Sequence, residues 1–361
     1  MEIRSRLVDG VNGLCMQVLE AGRIGDPCVL LLHGFPELAY SWRKVMPALA
    51  AAGFHVVAPD QRGYGATTGW DDDYDGDVAS FRLLNLVRDV VHLLERLGIA
   101  RVELVAGHDF GASVAGFCAL IRPDMFRRLA LMSAPFVGAP RIGGGLPEDV
   151  VHVALAALPQ PRKHYQWYYS GRDANADMWH APQGLASFLR GYFHMKSADW
   201  AENMPVELEG WTAGALASMP RYYIMDRDAG MAETVAPHTP GESAWLTDAE
   251  LAVYADAFGR TGFQGGLQWY RCRTEGRNGD LEVFAGRTVD VPALFLAGER
   301  DWGMYQSPGA LSRMRRACPM MGRPIVVEGA GHWVQQEQPT PVIAALRGLL
   351  AVSSPDDRVS R

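Results

Sequence analysis

Between an apolar run and a stretch of helical character, Gly107-His108-Asp109-Phe110-Gly111 sets an acidic side chain among small residues. This is the pattern of a nucleophile elbow, where only small neighbours allow the sharp turn that presents the central side chain at the N-terminus of the next helix. Taken alone, Asp109 could equally serve as a helix cap. An elbow nucleophile also needs an acid and then a histidine later in the chain. Asp301 follows the run VPALFLAGER and His332 follows PIVVEGAG, so each lies just past the carboxyl end of an expected parallel strand, where such sheets place their sites. Asp109 is thus a candidate nucleophile, His332 its base and Asp301 the orienting acid. The identity of the nucleophile narrows the chemistry. A serine attacking a saturated carbon would leave an ether that water does not readily cleave, whereas a carboxylate leaves a hydrolysable ester. That suits the opening of epoxides or the displacement of halides better than acyl cleavage.

Several elements must hold these residues. CVLLL, FHVVAP, VELVA, RLALM, ALFLAG and PIVV are short apolar runs, most ending in Gly or Pro, and read as buried strands. Helices are expected over 42–51, over 81–97, after the elbow, near 311–318 and near 341–350. The second carries Leu83, Leu84, Val87, Val90, Val91, Leu94 and Leu97 at helical spacing with Gly98 as a stop. Strand and helix in alternation predict an α/β fold, a mostly parallel twisted sheet with helices on both faces. The 39 Gly and 22 Pro sit mostly singly at the ends of apolar runs, where turns need them, so they punctuate rather than form a low-complexity tract. After Pro135 the alternation stops and a helical segment rich in Trp, Tyr, Met and Ala intervenes. The expected organisation is a core of residues 1–135 and 287–351, a helical cap inserted at 136–286, and a disordered tail at 352–361.

Composition removes other classes. Thirty-four Lys and Arg against 41 Asp and Glu give a net charge of −7 without a basic block, which argues against nucleic acid as a partner. The first residues carry charges where a signal peptide needs an apolar centre, and no apolar run approaches the roughly 18 residues of a membrane span, so a cytoplasmic protein is expected. Cys15, Cys28, Cys118, Cys272 and Cys318 are odd in number and scattered, unlike a disulfide framework or a zinc site. Asp71–Asp77 (DDDYDGD) has the carboxylate density of a calcium loop but not its full twelve-residue pattern, and reads as a solvated loop. No cofactor or metal is expected, and a homodimer is compatible with the chain. Glu37 reads either as a group that positions water or as a surface carboxylate. Trp167, Met178, Trp179, Trp200 and Trp211 read as cap packing or as the lining of an apolar pocket.

His33-Gly34-Phe35-Pro36, Asp60-Gln61-Arg62-Gly63-Tyr64-Gly65, the GHDFG elbow and GAGHWVQQEQP around His332 occur in this order across nearly the whole chain. In these motifs the sequence resembles the α/β-hydrolase superfamily and, within it, the epoxide hydrolases. The resemblance implies an α/β-hydrolase fold with a helical cap, a small apolar epoxide and water as the reactants, and a covalent ester on Asp109. It also implies two cap tyrosines that donate to the epoxide oxygen. His164-Tyr165-Gln166-Trp167-Tyr168-Tyr169 is similar to the family segment carrying the first, which places that role on Tyr165. Phe263–Arg271 resembles the segment carrying the second, on Tyr270. The backbone N–H groups of Phe35 and Phe110 are the implied oxyanion donors. Two departures bear on substrate scope: Tyr169-Ser170 stands where the family has Phe-Gln, and the cap is long. A haloalkane dehalogenase with the same Asp, His and Asp is the nearest alternative. Dehalogenases usually carry a Trp donor after the nucleophile, where Phe110 offers none. A non-catalytic α/β-hydrolase-fold receptor or interaction protein is the other alternative, against which the intact set of five side chains speaks.

Overall fold

The backbone partitions by how its apolar residues are spaced. In the computed structural model, which describes residues 2–144 and 150–352, eight strands form one sheet. They are β1 (Arg4–Val11), β2 (Leu14–Ala21), β3 (Cys28–Leu32), β4 (His55–Pro59), β5 (Val102–His108) and β6 (Leu129–Met132), followed, after a separate antiparallel ribbon of β7 (Arg162–His164) and β8 (Ile224–Asp226), by β9 (Ala293–Gly298) and β10 (Ile325–Val327). The order across the sheet is β1-β2-β4-β3-β5-β6-β9-β10. From β4 to β10 every neighbour is parallel. β3, β4, β6 and β9 are buried at every residue, because helices cover both faces. Along β3 the side chains alternate between two apolar cores, Leu30 and Leu32 facing one and Val29 and Leu31 the other.

Two features differ from the sequence expectation. The β1–β2 hairpin was not among the expected strands. Its turn is Asn12-Gly13, both at positive φ, the Asn-Gly pair that two-residue hairpins favour. β2 is fully buried on alternate residues from Leu14 to Glu20 and again at Ala21, and β1 is mostly exposed, so neither forms an apolar run. The expected helix over 42–51 is a 3-10 turn at Ala39–Trp42 and a helix at Met46–Ala51, with Pro47 in the first turn, where no backbone N–H is needed. The expected tail lies outside the described residues beyond Val352. The other helices follow the apolar spacing, at Leu83–Arg96, Phe110–Ile121, Ala310–Ala317 and Pro339–Leu350.

Between β6 and β9 the chain leaves the sheet and forms short helices with the β7–β8 ribbon. Four helices matter for the site: Tyr165–Ser170, Leu185–Lys196, Asp248–Thr261 and Gln264–Thr274. The third starts on a capping box, with Thr247 and Glu250 each accepting from the other's backbone N–H.

The DQRGYG loop after β4 ties three elements together. Arg62 reaches Asp89 on the helix Leu83–Arg96 through two hydrogen bonds of 2.7 Å, and Asn12 of the hairpin turn donates to the same carboxylate at 2.7 Å. Both charged side chains are nearly inaccessible to water. Removing one partner of such a pair leaves the other as an uncompensated buried charge. Asp89→Asn is expected to destabilise the fold by about 3 kcal/mol, read as a lower midpoint in urea unfolding; an unchanged midpoint would show that the pair contributes nothing.

Candidate active site

Asp109 ends the loop between β5 and the helix Phe110–Ile121 with φ 51° and ψ −120°, a strained conformation for a side chain with a Cβ. The turn closes because its neighbours are small. A Cβ on Gly107 would lie 2.1 Å from the Gly111 carbonyl oxygen, and one on Gly34 would lie 2.4 Å from the Asp109 Cβ. The side chain does not cap its helix, which settles the alternative that the elbow pattern left open.

Asp109, His332 and Asp301 converge. The His332 Nδ1 donates to Asp301 Oδ1 at 3.0 Å, and the same oxygen accepts from the Gly303 N–H at 2.7 Å. The His332 Nε2 faces Asp109 Oδ2 at 3.4 Å, an ion-pair approach, yet makes no hydrogen bond to any described residue. The Phe35 N–H donates to Asp109 Oδ1 at 3.1 Å. Among the described residues Phe35 is the only backbone donor to this carboxylate, and Phe110, the other expected donor, is the first residue of the following helix.

The tyrosines come from two helices of the inserted segment. Their rings lie 5.9 Å apart, and the Tyr270 ring packs edge-on against Phe35 at 5.5 Å and Phe110 at 5.2 Å, the residues bracketing the Asp109 carboxylate. Tyr165 donates to Gln306 at 3.0 Å and accepts from Gln166 at 3.1 Å, while the Tyr270 hydroxyl has no hydrogen-bond partner among the described residues. The neighbouring tyrosines are engaged elsewhere: Tyr168 donates to Asp177 and Tyr169 to Tyr192. The helix of Tyr270 is held from below by the acidic loop, since Gln268 donates to the Asp73 carbonyl and Arg271 to that of Tyr74. The loop's carboxylates are exposed, with Asp71 accepting from the N–H groups of Asp73 and Asp77 and Asp75 pairing with Arg172.

Burial pushes the Asp109 carboxyl up, but His332 first, then Lys196 and His108, hold it well below the usual carboxylate range. Burial and Lys196 push the His332 imidazole down, and the Asp301 and Asp109 carboxylates outweigh them, raising it to about 9. Burial and the charge of Asp109 push both tyrosine hydroxyls up, so they stay protonated donors.

Several participants were not legible as such in the sequence. Glu37 is not a surface carboxylate: it is fully buried, accepts from Gln335 at 2.8 Å and Gln336 at 3.2 Å, and lies 2.5 Å from His108 Nδ1. The other nitrogen of His108 donates to the His332 carbonyl at 2.7 Å, so elbow and histidine loop are joined through this ring. Lys196 was missed altogether. Its signal is present: Leu185, Phe188, Leu189, Tyr192, Phe193 and Lys196 share the apolar spacing of one helix, which places a lysine on a buried face. Of the cap residues read as packing or pocket, Met178 is fully buried and Trp211 is 43% exposed.

Comparisons with known proteins bear on the fold and the family. The family model for the alpha/beta hydrolase fold matches residues 27–339. Epoxide hydrolase A of Mycobacterium tuberculosis is 36% identical over 346 residues, covering 94% of this chain and 95% of that protein. The solved structure of epoxide hydrolase A from Mycobacterium thermoresistibile superposes with a TM-score of 0.78 at 34% identity, covering 98% of this chain and 100% of that one. Potato epoxide hydrolase I gives 0.74 at 31%, covering 97% and 99%. The fold defines an α/β hydrolase. Within that class the chain belongs to the epoxide hydrolase family.

The raised His332 carries a stability signature. Its unfolded value is near 6.5, so the stabilisation from its ion pairs is fully present below that pH and is lost as pH rises through about 9. The melting-temperature gap between the native protein and His332→Gln should therefore narrow between those pH values. A constant gap would mean that His332 is not held protonated in the fold.

Proposed function

We propose that the protein opens an epoxide to a vicinal diol through an ester on Asp109. An Asp109 oxygen bonds to one epoxide carbon as the ring C–O bond breaks, and Tyr165 or Tyr270 gives its proton to the leaving oxygen. His332, protonated in the resting site, passes its proton to the tyrosinate and then takes one from water, and the hydroxide adds to the Asp109 carboxyl carbon. The developing oxyanion is held by the N–H of Phe35, and that of Phe110 at the helix N-terminus is the second donor in this reading. Collapse releases the diol and restores the carboxylate. The observation that carries the reading is the meeting of two buried tyrosines from separate helices, their rings 5.9 Å apart, with Tyr270 packed against the two phenylalanines that bracket an ionised, elbow-mounted aspartate. We read residues 136–286 as the inserted cap that brings the tyrosines to the core of residues 1–135 and 287–351.

Halide displacement is less well supported. The Trp269 and Trp333 rings lie against Phe110 and His332, but their N–H groups are already donated to the carbonyls of Arg62 and Phe193. No indole donor from this pair remains for a halide.

Asp109→Ala is expected to abolish diol formation from an aryl epoxide, and retained diol would sink the assignment. His332→Gln should still open the ring but stall afterwards, so that mass spectrometry finds the protein heavier by one epoxide on the peptide containing Asp109. Replacing both Tyr165 and Tyr270 by Phe should lower kcat/KM by about 10²-fold or more, as loss of general-acid assistance does; a smaller loss would remove the tyrosines from the reaction.

A further inference from the structure

Lys196 is the last residue of the helix Leu185–Lys196, and its side chain is 4% exposed. Among the described residues its ammonium has no carboxylate within ion-pair distance, and its one hydrogen-bond partner is the Tyr192 hydroxyl at 3.4 Å. Around it stand the ring faces of Tyr223 at 4.9 Å, Tyr192 at 5.3 Å, Trp333 at 5.6 Å and Tyr222 at 5.8 Å. Aromatic faces attract a cation, and this cage adjoins the triad. The Trp333 ring that closes one side is 4.6 Å from the His332 ring, and the Lys196 carbonyl accepts the His332 N–H at 2.8 Å. The caged ammonium is therefore fixed relative to the imidazole through both main chain and side chain.

Resting on the epoxide-opening reading, we propose that Lys196 is a positioning residue of ester hydrolysis, a caged cation that drives the proton off His332 once Asp109 has been esterified. The groups facing His332 are the carboxylates of Asp109 and Asp301, the His108 ring with Glu37 behind it, the Trp333 ring and Lys196. The carboxylate Glu337 sits nearby, accepting from the N–H groups of Gly331, Trp333 and Ala198. Burial is the largest influence on Lys196 and holds its pKa below the usual lysine value, while the carboxylates of Asp109, Asp301 and Glu37 favour its ammonium form in part compensation. In the resting site two carboxylates hold a proton on His332 while the lysine opposes it. Ring opening turns Asp109 into a neutral ester and leaves a tyrosinate. His332 then has one carboxylate neighbour fewer and the same cation, so its proton passes to the tyrosinate and the imidazole becomes free to take one from water. Hydroxide adds to the ester carbon, the second substrate oxygen leaves and is protonated by the new carboxylic acid, and the resting ion pair of Asp109 and His332 is restored.

Lys196→Met removes the charge at similar volume and leaves the backbone bond to His332 in place. Two readouts apply. An NMR titration of the His332 imidazole in the free protein needs no activity and should show its pKa moved upward. In single-turnover experiments with an aryl epoxide, the acid limb of ester decay should move upward by about one pH unit, the ester accumulating below it and decaying at the native rate above it. Lys196→Arg should leave the limb near its native position. Where the Met variant does not fold, Lys196→Gln takes its place. An unmoved His332 titration, or decay lowered by one factor at every pH, would overturn the inference. If the native protein forms no ester at all, the failure belongs to the epoxide-opening reading, and the titration still reports the effect of the lysine on the imidazole.

Discussion

A carboxylate withdrawn from water is unstable unless charge and hydrogen bonds replace its hydration, and in the proposed reaction Asp109 has to be both withdrawn and ionised. Solvent alone would keep it charged but hydrated and slow. The structure instead surrounds it with the Phe35 N–H, the His332 imidazole and the more distant field of Lys196 and His108. Much of the architecture follows from this. Asp301 behind His332 keeps its Nδ1 turned away, which leaves Nε2 facing Asp109. The loop bearing His332 is in turn held from two sides, by the Lys196 carbonyl on its backbone N–H and by the His108 ring on its carbonyl.

Presenting that carboxylate demands a backbone conformation which side chains with a Cβ rarely adopt. The strain is borne locally by glycines that let β5, the elbow and the Gly34 loop approach within contact distance. It is borne more widely by the parallel sheet, in which β3, β5, β6 and β9 are locked by ladders on both sides. Rigid strands end where the loops of Asp109, Asp301 and His332 begin, so the sheet fixes the relative positions of residues far apart in sequence. The DQRGYG loop plays no chemical part in this. Its Asp60 accepts from the Ala39 and Ala66 N–H groups, and its Arg62 fastens hairpin and helix through Asp89.

The inserted segment contributes differently. Its helices are short, and their order comes from aromatic contacts with the core rather than from their own length. Tyr165, Tyr169 and Tyr270 form one cluster with Phe35 and Phe110. Tyr270 therefore needs anchoring from outside that cluster, which the main chain of the acidic loop supplies through Gln268 and Arg271. A run of carboxylates that looks like a metal loop by composition is here a backbone clamp beneath the tyrosine helix.

The sequence by itself determined the parallel strands, the elbow and the order of Asp109, Asp301 and His332. Those depend on local patterns: apolar runs that must be buried, glycines where the chain must turn, and polar residues at strand ends. It understated the β1–β2 hairpin, whose signal lies in Asn12-Gly13 and in one-sided burial rather than in hydrophobicity. What only the tertiary structure decided is charge. Whether Glu37 lay at the surface or beneath the nucleophile, and whether Lys196 faced water or an aromatic cage beside His332, could not follow from residue type, because the cost of a charge depends on what packs around it. Glu37 meets His108 from 71 residues and Gln335 from 298 residues along the chain, and Lys196 meets Trp333 only when its helix packs against the loop of His332.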